Sequence, residues 1–317
     1  MLKEVEYLIT NDAAICENPA IIFSDQTVSY VQLRNAIESC AEHFKKNGII
    51  SGERVGIISF NSIECVVALL SLWLIKAVPC LLNVRLPEST LKNQLQLIQC
   101  RHLLSSVKKF ETERIKQINL GSIVPTQNII SDPTFKKQNR QRFYFPREQQ
   151  ATVLFTTGSG SDPKPVLHTI GNHISSAKGS NELIPVAPGD QWLLALPLYH
   201  VSGLSILFRV FREGGTIVIA DDHDNISAMF ERHNITHVSL VPTQLARLCA
   251  NENVLSKLRN LKAILVGGSS IPQLLLQNSL KNKLPIYTTY GLTEMASQVA
   301  TGKYSMSAKV LKYRNVK

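Results

Sequence analysis

The sequence predicts an α/β fold in which parallel-rich sheets are sandwiched by helices. Three observations predict it. Short β-rich runs alternate with helix-length segments along most of the chain. One strand–helix–strand unit, which requires parallel pairing, is complete between residues 54 and 84. The length of 317 residues suits two lobes or one large α/β unit.

The elements follow in order. "TVSYVQLRNAIESCAEHFKKNG" is a helix, because Ser29 and Gln32 form a capping-box pattern, Leu33, Ile37, Ala41 and Phe44 share one face, and Gly48 stops it. "RVGIISF" (54–60) is a strand, 62–75 a buried helix, and "AVPCLLNV" (77–84) a second strand. Residues 105–149 are basic, polar and weakly periodic, with prolines at 125, 133 and 146, so a boundary falls near 147–150. It divides the chain into a first α/β subdomain, 1–149, and a second, 150–317.

From 151 the alternation resumes. "ATVLF", "QWLLALP", "TIVIA", "THVSLV", "LKAILVGG" and "LPIYTTYG" are strands. Between them "SGLSILFRVFREGG", "NISAMFERHN", "PTQLARLCAN" and "PQLLLQNSLKN" are helices, the third opened by proline in its first turn. In such sheets ligands sit beyond the carboxyl ends of the strands. "SAKVLKYRNVK" (307–317) alternates like a strand, which either pairs within this lobe or begins something further.

Composition narrows the partners. Net charge is +10, from 34 basic and 24 acidic residues, which favours anions. The basic residues are scattered, and Lys45-Lys46, Lys108-Lys109 and Lys136-Lys137 are pairs only. With no arginine-rich arm, zinc-finger spacing or aromatic RNA-binding signature, nucleic acid is not an expected partner. Cys16, Cys40, Cys65, Cys80, Cys100 and Cys249 lie far apart, mostly in apolar runs, as core thiols of a reducing compartment do. "MLKEVEYLIT" lacks the apolar stretch of a secretory signal, and "CVVALLSLWLI" (65–75) is too short to cross a bilayer. A cytoplasmic protein without membrane insertion is expected; a homodimer is left open.

Chemistry concentrates in "FTTGSGSDPKPVLHT" (155–169), with five hydroxyl side chains, two glycines and Lys164. It lacks the spacing of a Walker A loop and of a G-x-S-x-G nucleophile elbow. Glycine N–H groups, hydroxyl donors and a lysine still suit a phosphate; a polar turn has the same composition. "HTIGNH" and "RHNITH" have metal-like histidine counts without an evident third ligand, and "DDHD" (221–224) suits a strand-ending turn, so zinc is not expected.

The blocks T-G-S-G-S-D-P-K, L-P-L-Y-H, V-G-G-S and Y-G-L-T-E, in that order, resemble the adenylate-forming superfamily of acyl- and aryl-CoA ligases, luciferases and peptide-synthetase adenylation domains. The detailed wording of "LPLYHVSGL", "VPTQLARL" and "YGLTEMAS" is similar to o-succinylbenzoate–CoA ligases of menaquinone synthesis. The resemblance implies the large N-terminal domain of that fold, an acid–thiol ligase activity, and ATP, Mg²⁺ and CoA as cofactor and co-substrates of a small-molecule carboxylic acid.

It also implies residue roles. Thr156, Thr157, Gly158, Ser159, Gly160, Ser161 and Lys164 would handle the β- and γ-phosphates. Gly160, Ser161 and Pro165 stand where the family has threonine, glycine and glycine, so loop flexibility differs. Gly267, Gly268 and Ser269 would pass along adenine and acyl group. Thr289 and Tyr290, continued by Gly291 and Leu292, would flank the nucleotide; Thr293 would donate to the α-phosphate and Glu294 hold Mg²⁺. His200 would stand at the mouth of the acyl pocket, and Arg209 would supply a cation for a second substrate carboxylate.

The family's ribose-binding aspartate, hinge and small C-terminal domain with its lysine find no match in the 317 residues. The expectation is therefore a chain without that lid domain, which binds nucleotide and adenylate but adenylates weakly alone. A ligase for another aryl or acyl acid, or a non-catalytic nucleotide-binding remnant, is the alternative.

Overall fold

The structure, a computed structural model, describes residues 5–10, 12–107, 115–123, 143–156, 163–220, 226–305 and 312–313. The chain opens with β1 (Val5–Tyr7) and the hairpin β2 (Pro19–Phe23) and β3 (Gln26–Ser29), followed by α1 (Tyr30–Lys46). The capping box is formed: the Gln32 amide donates to Ser29 Oγ at 3.3 Å, and the Ser29 amide to Gln32 Oε1 at 2.8 Å. Leu33, Ile37, Ala41 and Phe44 are all buried, and Gly48 turns the chain at φ 92°.

The expected strand–helix–strand unit is β4 (Arg54–Ile58), α2 (Ile63–Leu74) and β5 (Val78–Leu82), with β4 and β5 parallel. After it come α3 (Glu88–Leu97), β6 (His102–Ser105), β7 (Lys116–Asn119), α4 (Leu120–Ile123), β8 (Tyr144–Pro146), β9 (Gln150–Phe155), β10 (Pro165–Thr169) and α5 (Ile170–Asn181). The last part alternates as expected: β11 (Gln191–Leu194), α6 (Val201–Glu213), β12 (Thr216–Ile219), α7 (Ile226–Arg232), β13 (His237–Leu240), α8 (Pro242–Cys249), α9 (Glu252–Leu258), β14 (Ala263–Val266), α10 (Gln273–Lys281), β15 (Ile286–Leu292), β16 (Ser297–Lys303) and β17 (Lys312–Tyr313).

Two large sheets result. One has the order β10-β9-β5-β4-β6-β7, parallel except where β10 turns back on β9. The other runs β17-β16-β15-β14-β13-β11-β12-β2-β3, with a parallel centre from β15 to β2 and antiparallel strands at both ends. The short strand Lys312–Tyr313 therefore pairs within this sheet, while 306–311 and 314–317 lie outside the described residues. β1 and β8 form a separate ribbon.

Sheet membership cuts across the expected division at 149/150. β9 and β10 complete the first sheet, and β2–β3 extend the second. The stretch 105–149, read as irregular, contributes β7, α4 and β8 among its described residues.

Both sheets are covered on both faces, which is why their strands are apolar runs rather than alternations. One core joins α1, α2, α5 and α6 to the facing sides of the two sheets. α3 covers the far side of the first sheet through Leu91 and Leu95, and α7, α8, α9 and α10 cover the far side of the second. Two polar side chains of the middle layer bond to backbone across it. Trp73 Nε1 donates to the Ala151 carbonyl at 2.6 Å, and the Tyr30 hydroxyl to the Gly215 carbonyl at 2.5 Å. Four cysteines, Cys40, Cys65, Cys80 and Cys100, are buried as free thiols. Among the described residues no helix is long and apolar enough to cross a membrane.

Candidate nucleotide and acyl site

The carboxyl ends of β11, β13, β14 and β15 open on one side of the second sheet, and a cavity of about 50 Å³ lies there. Leu196 follows β11, Val241 follows β13, Gly267 and Gly268 follow β14, and Thr289 belongs to β15. Gly267 allows a close approach. A Cβ there would stand 2.6 Å from Thr289 Cγ2 and 2.8 Å from the Thr289 carbonyl. Gly268 turns at φ +85°, and Ser269 beyond it is exposed. Thr289 Oγ1 is held at 2.8 Å from Thr301 Oγ1 on β16.

Arg209 enters the cavity from the second half of α6. It is 1% exposed, its Nη2 donates to Ser297 Oγ at 3.2 Å, and its guanidinium carbon lies 5.6 Å from the Trp192 ring centre. Burying a guanidinium is costly without anionic or hydrogen-bonding company, so its position on a cavity wall is a chemical statement. Ser297 reaches it because Ala296 and Ser297 take positive φ values of 53° and 114°, unusual for residues with side chains. Ser297, Gln298 and Ser202 line the same cavity, and sequence reading did not pick them.

His200 caps the start of α6 without a side-chain cap bond, with its ring 4.8 Å from that of Tyr199. Its surface is open to solvent, yet neighbouring atoms crowd the ring enough to lower its pKa from the ordinary value. The segment before it is pinned from the other sheet. Asn61, just before α2, donates Nδ2 to the Leu196 carbonyl at 2.9 Å and accepts the Leu198 amide on Oδ1 at 2.9 Å. Gly203 packs so tightly here that a Cβ would meet the Pro197 carbonyl at 2.2 Å.

The second constellation is at the end of β9. Thr156 and Lys164 close the base of the phosphate-type loop, the Thr156 amide donating to the Lys164 carbonyl at 3.0 Å. Thr157, Gly158, Ser159, Gly160 and Ser161 lie outside the described residues, as does "DDHD" (221–224). β10 then carries the chain past the 3₁₀ turn Thr293–Met295, where the His168 Nε2 and the Thr293 carbonyl are 2.6 Å apart. Tyr290, Gly291 and Glu294 are exposed, and Leu292 and Thr293 half-buried. The structure thus brings Arg209, Gly267, Gly268 and Thr289 to one cavity, and β10 to the Y-G-L-T-E segment. Among the described residues no three histidine, cysteine or acidic side chains group as a metal cluster.

The sequence family of AMP-binding enzymes matches residues 10–314. The chain belongs to that family. It is 32% identical over 311 residues to 2-succinylbenzoate–CoA ligase of Bacillus subtilis (strain 168), covering 95% of this chain and 61% of that protein. Among solved structures, B. subtilis o-succinylbenzoate coenzyme A synthetase in complex with AMP superposes with a TM-score of 0.79 at 30% identity, covering 90% of this chain and 59% of that one. The same enzyme in complex with ATP and magnesium ion gives a TM-score of 0.78 at 30% identity, covering 90% of this chain and 59% of that one. The fold is that of the large N-terminal domain of adenylate-forming enzymes. The chain spans about 61% of the length of the curated relatives it matches first.

Proposed function

We propose that the chain carries the nucleotide and acyl-adenylate site of an ATP-dependent acid–CoA ligase whose acid is 2-succinylbenzoate, in menaquinone synthesis. The observation that carries the reading is Arg209: a buried guanidinium on the wall of a cavity that also receives Gly267, Gly268 and Thr289. An acid with a second carboxylate offers that cation an anionic ligand in the cavity, while the glycine-lined end leaves room for a flat base.

In the overall reaction the acid's carboxylate oxygen attacks the α-phosphorus of ATP, and pyrophosphate leaves. The CoA thiol then attacks the acyl carbon and AMP leaves. The protein's part is positioning and charge. Thr156, Lys164 and the hydroxyls and glycines of 157–161 hold the β- and γ-phosphates. Thr293 donates to the α-phosphate. Tyr290 and Thr289, with Gly291 and Leu292, flank the nucleotide; Ser269 continues the wall from Gly268, and His200 stands at the acyl entrance. Glu294, an exposed carboxylate in the Thr293–Met295 turn, suits Mg²⁺, which would supply charge neutralisation on the phosphates. A cytoplasmic location fits the four buried free thiols.

Calorimetric titration with non-hydrolysable adenylate analogues bearing o-succinylbenzoyl, benzoyl and long aliphatic groups tests the reading. Preference for the first is expected. Equal affinity for all three would refute the acid assignment and favour another acyl acid. Adenylate binding without pyrophosphate exchange, even with a family lid domain added in trans, would favour a non-catalytic remnant.

A further inference from the structure

We propose that His168 is a positioning residue for the phosphate end of the nucleotide site: its Nε2–H grips the Thr293 carbonyl and fixes the Thr293–Glu294 turn against the strand that leaves the phosphate loop. This rests on the reading of Thr293 and Glu294 given above. The two segments lie 125 positions apart in the chain, and the contact between them is 2.6 Å long.

The proton on the ring is assigned by its partners. A carbonyl only accepts, so Nε2 carries the hydrogen and, in the neutral ring, Nδ1 is an acceptor. Thr152 Oγ1 lies 3.5 Å from that Nδ1 and 2.8 Å from His173 Nε2. A hydroxyl has one hydrogen to give. Donated to His168, it leaves the oxygen to accept from His173 Nε2–H, and a single direction of donation runs His173 to Thr152 to His168 to Thr293. Thr152, His168 and His173 are 0%, 2% and 1% exposed, and the His173 ring stacks on Phe208 with centroids 4.5 Å apart. Burial lowers the pKa of His168, against the opposing pull of the Thr293 carbonyl and Glu294, and lowers that of His173 further.

The turn being held has reason to need holding. Thr293–Met295 is a short 3₁₀ turn whose carbonyl at Thr293 also accepts the Ala296 amide at 3.0 Å. It is followed at once by the two positive-φ residues Ala296 and Ser297. A backbone in that region persists where its surroundings over-determine it. His168 takes the second lone pair of the same carbonyl, from β10, whose other end is the base of the phosphate loop. The strand that leaves the loop and the Thr293–Glu294 turn are therefore tied together.

The test uses the whole 317-residue chain. Affinities for the magnesium complex of an imido analogue of ATP and for adenosine are measured by calorimetry in wild type, His168→Leu and His168→Gln, with thermal melting as the check on folding. His168→Leu is expected to weaken the ATP analogue roughly 5- to 10-fold and to leave adenosine within about twofold. His168→Gln, whose amide nitrogen can reach the place of Nε2, is expected to recover most of the loss. Equal weakening of both ligands, no weakening, or a glutamine variant as poor as leucine would overturn the proposal. If His168→Leu does not fold, Thr152→Val decides: it removes the hydroxyl that sets the ring's tautomer, and absence of an ATP-selective loss would likewise overturn it. Wild type that bound neither ligand would instead overturn the nucleotide-site reading, and this one with it.

Discussion

Replacing Asn61 by alanine should loosen the joint between the two sheets at the point where the acyl entrance is built. Asn61 belongs to the β4–α2 unit of the first sheet, yet both ends of its amide are spent on the backbone after β11, each at 2.9 Å. The partners, Leu196 and Leu198, are 7% and 2% exposed, so water can replace only part of what is lost. Two hydrogen bonds at about 1 kcal/mol each, with part of the desolvation cost of the orphaned groups, give a loss of about 1.5–3 kcal/mol. At about 2.1 cal/mol/K of unfolding entropy per residue, 317 residues amount to roughly 0.67 kcal/mol/K, so the melting temperature should fall by about 2–4 °C. Calorimetric melting of wild type, Asn61→Ala and Asn61→Asp measures it. The aspartate keeps the acceptor for the Leu198 amide but sets a charge against the Leu196 carbonyl, so it should be no better than alanine. A shift below about 1 °C in the alanine variant would refute the clamp as a source of stability.

Arg209→Met should weaken a dicarboxylic acyl-adenylate analogue by roughly 10- to 150-fold and leave a benzoyl analogue nearly unchanged, because only the former has a charge-assisted bond to lose; parallel losses in a titration would sink the assignment. Glu6 is held by Arg147 at 2.5 Å, Lys178 at 2.8 Å and Arg212 at 3.2 Å. Burial would raise its pKa, but these three cations outweigh it and hold the carboxyl below the ordinary value. Its contribution to stability is thus present above the unfolded-state pKa and is lost as pH falls through the lower folded-state pKa, so urea midpoints of wild type and Glu6→Gln should differ at pH 7 and converge in acid. Burial pushes the thiols of Cys40 and Cys65 up to about 12 and that of Cys100 to about 11. At pH 8 a thiol-disulfide reagent should therefore modify the native protein only at the half-buried Cys16 and Cys249; a third fast equivalent would contradict the packing.

Local rules made much of this fold legible. The capping box at Ser29 and Gln32 and the proline opening α8 are decided by neighbours a few residues away, and they stand where the sequence puts them. Sheet order is not a local property. Nothing in "PAIIF" says that β2 will lie beside β12, so a division at residue 149 follows the change in composition rather than the sheets. The site divides the same way. Gly267 and Thr289 are reached through the family resemblance of their motifs, and Arg209 through the second carboxylate that this resemblance implies. Ser297 does not, because its place depends on two non-glycine residues with positive φ. In the sequence His168 is only half of a histidine pair; its acceptor is a backbone carbonyl, which leaves no trace there.

The hairpin at Pro19–Phe23 and Gln26–Ser29 has a consequence for how the protein is made. Its neighbour in the second sheet is Thr216–Ile219, so Ile21 and Ile22 leave the ribosome with an apolar edge whose partner strand is not yet synthesised. At 5–20 residues per second, the intervening stretch of roughly 190 residues takes about 10–40 s to appear. For that interval β2 is paired on one side only, with β3, and its other edge is open. Chaperone occupancy on the nascent chain should therefore begin at the hairpin and end only once β12 is out.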